Sequence, residues 1–161
     1  KYGKNGENAA LSIAVKTADD KVLVESVDCR STRAGNGWII EFLRAADARQ
    51  VVVDGANGQQ LLSADMKEAK LKTPILPTVK EIISANAMFE QAVWSESICH
   101  MGQPSLTQSV SNCIKRSIGS NGGFGYKSIK EGVEVSLLDS VILAHWAINT
   151  FTEKKKQRVN Y

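Results

Sequence analysis

The sequence predicts a single α/β domain with a mixed sheet covered by helices on both faces. Three observations predict it: two neighbouring period-two segments joined by a short polar connection, a fully apolar β-branched run further on, and helical-period segments after each of them. The chain has 161 residues, which suits one domain able to bury a complete core.

Within residues 9–16, Leu11, Ile13 and Val15 fall on one face at period two. Residues 21–27 repeat the alternation, with Val22, Val24 and Ser26 against Leu23, Glu25 and Val27. Thr17-Ala18-Asp19-Asp20 lies between them, so the pair is expected to form a hairpin. After the break at Gly35-Asn36-Gly37, the apolar positions Trp38, Ile39, Phe42, Leu43 and Ala46 predict a helix up to Ala48. Val51-Val52-Val53, closed by Asp54 and Gly55, has the pattern of a central strand buried on both faces. Residues 57–70 set Leu61, Leu62, Ala64, Met66 and Ala69 among charges and read as a helix crossing back over the sheet.

Thr73-Pro74-Ile75-Leu76-Pro77 is too short and too rich in proline for a central strand, and is expected nearer an edge. Thr78 with Glu81 three residues later makes a capping box for a helix running to about Trp94. Residues 95–134 are irregular, with a short helix from Pro104 and one or two short strands or a hairpin within residues 113–130. Residues 136–151 are apolar nearly all round and predict a deeply packed helix. The domain is expected to span residues 1–152, followed by a basic tail, 153–161.

Composition excludes more than it identifies. Hydrophobic residues make 43% and charged residues 23%, ordinary for a globular chain and unlike a collagenous, disordered or low-complexity one. The net charge of +3 is too small to name a nucleic-acid partner. Cys29, Cys99 and Cys113 form no CxxC pair, so neither a disulfide framework nor a zinc ribbon is suggested, and a reducing compartment is the simplest home. Charge-free stretches are too polar or too short to span a bilayer, which needs about 20 apolar residues, so no membrane partner is expected. The opening Lys1-Tyr2-Gly3 has no methionine, and the chain is expected to be a piece of a longer protein.

The signatures of P-loop ATPases, dinucleotide-binding domains, serine hydrolases, zincins and zinc deaminases are absent. His100 and His145 read as structural residues, so carboxylates must hold any metal. The candidate pair is Asp54, closing the apolar strand where ligands of α/β folds gather, and Asp139, in the first turn of the last helix. Together they could hold Mg²⁺ or Mn²⁺ through hard oxygens, and two such ions clamp the attacking and leaving oxygens of a phosphodiester. Simpler roles stand beside this one. Ser136-Leu137-Leu138-Asp139 also reads as a capping box, and Asp54-Gly55 as a strand-ending turn. Gly119, Gly122, Gly123 and Gly125 among Lys115, Arg116, Lys127 and Lys130 suggest a basic hairpin that follows a phosphate backbone, or an ordinary surface loop.

Several segments, in order along nearly the whole chain, resemble the C-terminal half of bacteriophage or prophage terminase large subunits. They are Gly37-Trp38-Ile39-Ile40, Val51-Val52-Val53-Asp54-Gly55, Ala85-Asn86-Ala87-Met88-Phe89, His100-Met101-Gly102-Gln103-Pro104-Ser105-Leu106, Gly122-Gly123-Phe124-Gly125-Tyr126, and the run from Leu138-Asp139 to Ala144. The resemblance implies a ribonuclease H-like, metal-dependent endonuclease that cuts concatemeric double-stranded viral DNA. It implies Asp54 and Asp139 as ligands of one or two Mg²⁺ or Mn²⁺ ions. The family's first acid aligns most nearly with Lys1, and Glu7 is the nearby acid expected to stand in for it. Lys115, Arg116, Lys127 and Lys130 would position DNA without reading bases. The implied partners are double-stranded DNA, an N-terminal ATPase domain of the same protein, the small terminase subunit and the portal. The implied location is the host cytoplasm, at the procapsid during packaging. The alternative is a catalytically weak or inactive DNA-binding or assembly module of the same fold.

Overall fold

In the computed structural model residues 1–150 are described; the basic tail expected at 153–161 lies outside the described residues. Among them, a mixed α/β fold is formed by five α-helices, a three-stranded mixed sheet and a two-stranded hairpin. Strand β1 (Asn8–Lys16) pairs antiparallel with β2 (Val22–Ser31), as their alternation predicts. The connecting turn is closed by Thr17, whose Oγ1 accepts from Lys21 N and donates to Asp19 Oδ1. β2 runs on past Val27 because its later residues find partners in Asn8, Ala9, Ala10 and Leu11, beyond a bulge at Leu11/Ser12.

Helices α1 (Gly37–Ala46) and α2 (Gln59–Glu68) follow, each shorter than its apolar pattern suggests. Helix α3 (Val79–Trp94) begins with the expected capping box of Thr78 and Glu81. β3 (Ile98–His100) pairs parallel to β2 and was not anticipated, being three residues in a polar stretch. Helix α4 (Pro104–Ser111), the hairpin strands β4 (Cys113–Ile118) and β5 (Gly123–Ser128), and helix α5 (Ser136–Thr150) complete the order.

The run Val51-Val52-Val53 forms no full strand. It makes an isolated parallel bridge, Val52 to Ile75, with Val53 N donating to Ile75 O and Ile75 N to Val51 O, both at 2.9 Å. Pro74 and Pro77 on either side of Ile75 lack the N–H donors that a longer ladder needs. On its other side Tyr2 N donates to Asp54 O at 2.9 Å, and Tyr2 bridges Ala9 of β1. Backbone pairings therefore lead from β3 through β2 and β1 to Tyr2, then Asp54 and Ile75.

Helix α5 lies across β1 and β2, where the small side chains of β1 let it approach. Ala10 is buried, Ala14 packs in a cluster with Val22, Val24, Leu106 and Val141, and Ser140 Oγ donates to Ala10 O. Leu11, Ile13 and Val15 occupy the opposite face, and Val15 is exposed. A second cluster closes α1 and α2 around Tyr2, Ala9 and Val53, with Met66 fully buried. A third joins Ala85 of α3 to Leu138, Ile142 and Trp146 of α5. Among these, each large buried aliphatic side chain such as Met66, Leu138 or Ile142 contributes about 1.5–3 kcal/mol of transfer free energy.

Candidate active-site cleft

Asp54 is placed by what surrounds its backbone. Val53 anchors one side in the core, and Gly55 on the other adopts φ +114°, outside the range of L side chains. A Cβ at Gly55 would lie 2.6 Å from Tyr2 O, and one at Gly58 would strike the Tyr2 ring. Both glycines therefore make room for Tyr2, whose hydroxyl donates to Asn36 Oδ1 at 2.6 Å. A turn follows from Gly55, closed by Gly58 N donating to Gly55 O at 3.1 Å, and it makes no use of the Asp54 carboxylate.

Asp139 is placed by the start of α5. The S-x-x-D capping box does not form there: Ser136 is already helical and its Oγ donates to Glu134 Oε2 at 2.9 Å, while Asp139 N donates to Val135 O. The Asp139 carboxyl instead lines a cavity of about 190 Å³, together with Lys1, Asp54, Asn86, Arg116 and Tyr126. The two acids singled out from the sequence thus meet in one cleft.

A cation sits with them. Lys1 Nζ donates to Asp54 Oδ2 at 2.5 Å and lies 4.0 Å from Asp139 Oδ2. Dehydration pushes the Asp139 carboxyl up to about 6; the Lys1 charge works against that rise and the Asp54 charge adds to it. Asn86 of α3 is 3% exposed, and its Nδ2 donates to Ile82 O while its Oδ1 has no partner. Arg116 Nε donates to Tyr126 O at 3.2 Å, leaving its other N–H groups for the cleft. Burial, followed by the charge of Glu90, pushes the Tyr126 phenol up to about 12.

Glu7 does not reach the cleft. It is exposed in the turn before β1, where its carboxylate accepts from Asn5 Nδ2 at 2.8 Å. The reason is register: Ala10 N donates to Lys1 O, and Glu7 lies three residues further along, about 10 Å at strand spacing. The basic hairpin divides its charges. Arg116 opposes Gly125 and Lys127 opposes Ile114 on one face, whereas Lys115 opposes Tyr126 on the other. Lys115 is bound to Glu90 at 2.6 Å and lies over the Phe124 ring at 4.4 Å. Lys130 follows β5, exposed, in a turn where its N–H meets Ser128 Oγ.

Lys1 and Asn86 are the cleft residues that sequence reasoning missed as participants. Lys1 stands where the resemblance places an acid, and residue type alone gives its ammonium no role there. Asn86 lies between Ala85 and Ala87, a setting that marks close helix packing and carries no chemical signal.

The carboxylates and the orphaned Asn86 oxygen have the chemistry that Mg²⁺ or Mn²⁺ prefers. As arranged, however, they do not fit the two-ion site. Two divalent ions would face only two carboxylates and an ammonium already between them, and the described residues contain no group of three or more His, Cys, Asp or Glu side chains able to hold a metal. No protein-family model, curated protein or solved structure compared with the chain matches it. Among the described residues no helix is long and apolar enough to cross a membrane.

Proposed function

We propose that the chain is a ribonuclease H-like nuclease domain of the terminase large-subunit kind, acting on the phosphodiester backbone of double-stranded DNA. The observation that carries this reading is the meeting of Asp54 and Asp139, from distant parts of the chain, in one cleft walled by Arg116. The succession of pairings from β3 to Ile75 supports the fold assignment. Arg116 would hold a phosphate oxygen through the N–H groups not spent on Tyr126, and Lys127, on the same face of the hairpin, would extend that contact along the backbone. The Asp139 carboxyl, raised to about 6, is suited to take up or release a proton near neutral pH. In this reading the partners are an ATPase domain of the same protein, the small subunit and the portal, at the procapsid in the host cytoplasm.

Plasmid nicking in Mn²⁺ or Mg²⁺ tests the reading. Asp54→Ala and Asp139→Ala should each lower the rate by roughly 100-fold; equal activity in all three proteins sinks it. The Lys1–Asp54 ion pair favours a second reading, a DNA-binding or assembly module of the same fold without catalysis. Salt-dependent DNA binding without cutting by the native chain selects that reading. Binding that survives loss of both Lys127 and Lys130 removes these lysines from the DNA surface and points to a protein-contact role for the hairpin.

A further inference from the structure

The nuclease reading leaves the Lys1 side chain without a task, yet it is the most tightly held charge in the cleft. Its ammonium contacts Asp54 Oδ2 at 2.5 Å and stands 4.0 Å from Asp139 Oδ2, with the three side chains only 18%, 15% and 25% exposed. The backbone beneath it is fixed on both sides. Lys1 O accepts from Ala10 N, Tyr2 N donates to Asp54 O, and the Tyr2 ring is wedged against Gly55 and Gly58. Two carboxylates sharing a partly dehydrated cleft repel each other unless a cation stands between them, and the ammonium supplies that charge. A divalent ion would seek the same two carboxylates, and Asn86, whose Oδ1 is buried without a partner, is among the residues lining the cavity. Ammonium and ion cannot occupy one position, by volume or by charge.

We propose that Lys1 is a built-in counterion: its ammonium holds the cation position of the Asp54–Asp139 pair, and a divalent metal binds there only by displacing it. The inference rests on the reading of this cleft as the functional site, but its test reads metal binding instead of cutting. Titration of the native protein with Mn²⁺, followed by calorimetry and by loss of the free-ion EPR signal, should give at best weak, millimolar binding. Lys1→Met removes the charge at similar length and should tighten binding roughly tenfold or more. Lys1→Asp, which adds a carboxylate, should tighten it further. Lys1→Arg keeps the charge and should bind as weakly as the native chain. Asp54→Asn in the Lys1→Met background should abolish the gain.

Micromolar Mn²⁺ binding by the native protein overturns the proposal whatever the variants do, and so does equal affinity in native protein and a folded Lys1→Met. A Lys1→Met protein that folds only when Mn²⁺ is added supports it, since a ligand stabilises the state that binds it. The two readings fail separately. Tight metal binding by Lys1→Met with no DNA cutting removes the nuclease and keeps the counterion, whereas efficient cutting by the native chain in micromolar Mn²⁺ does the reverse.

Discussion

Two cavities of the same size, about 190 Å³ each, differ in everything that makes a site. The first gathers Lys1, Asp54, Arg116 and Asp139 from four separate segments, and its acids and Lys1 are paired and partly dehydrated. The second lies between the ends of α1 and α2, floored by Leu43, Val51 and Met66, with Arg44, Lys70 and Lys72 exposed at its rim. Its backbone is unusual too, since Asp47 and Lys70 both have positive φ, but these are the residues that end or follow helices. Volume and strained backbone are therefore shared with a packing defect. Convergent charges held away from water are what set the first cavity apart.

The contrast can be broken most forcefully at the floor of the second cavity. Met66→Ala should cost about 2–5 kcal/mol of stability, measured by denaturant unfolding, because the fully buried side chain leaves a void. Nicking per folded molecule should stay within about twofold of native. A large loss of specific activity would mean that the second cavity also serves the chemistry. The reverse dissociation is expected in the first cavity, where Asp54→Ala or Asp139→Ala should remove roughly 100-fold of activity while Arg44→Ala at the other rim removes none.

A smaller effect follows from the Asp139 carboxyl. Its ordinary value is 3.8 and the fold raises it to about 6, so between these limits the folded state holds a proton that the unfolded state has lost. Stability contributed by this group is therefore fully present below about pH 4 and is lost as pH rises toward 6, by roughly 2 kcal/mol after allowing for its partial exposure. Asp139→Asn should remove that slope. Parallel unfolding curves for native protein and variant from pH 4 to 7 would place the carboxyl in ordinary solvent. Smallest of all, Lys115→Ala should change stability by less than about 1 kcal/mol, since its side chain is 54% exposed in the pair it makes with Glu90 of α3. It should leave the salt dependence of DNA binding unchanged, whereas Lys127→Ala should reduce the slope by about 1.

Much of this arrangement was legible in the sequence, for identifiable reasons. The alternation in residues 9–16 and 21–27, the Thr78–Glu81 box and the apolar final helix are local signals, and each gives the element it announces. That Asp54 and Asp139 line one cleft follows from their places at a strand end and a helix start, where ligands of α/β folds gather; their chemistry there belongs to the proposal. What failed were the features that depend on pairing across the chain. β3 acquires its ladder from β2, more than 70 residues earlier, and its own three residues carry no period. Val51-Val52-Val53 has the composition of a central strand, but neighbours set its ladder, and the two prolines around Ile75 shorten it. Glu7 was chosen by residue type, and strand register carried it out of reach. The sign of the third group in the cleft followed from no spacing rule, since an ammonium and a carboxylate at residue 1 would produce the same pattern around it.

Tyr2 fixes the backbone from which the side chain of residue 1 departs. Wedged against Gly55 and Gly58 and bonded to Asn36, it holds the backbone of residue 1 beside Asp54, where the Lys1 side chain reaches both aspartates. Both codons for lysine become codons for glutamate through a change of their first base. A cleft closed by its own ammonium and a cleft with three carboxylates are thus separated by one point mutation, with the anchoring tyrosine left untouched.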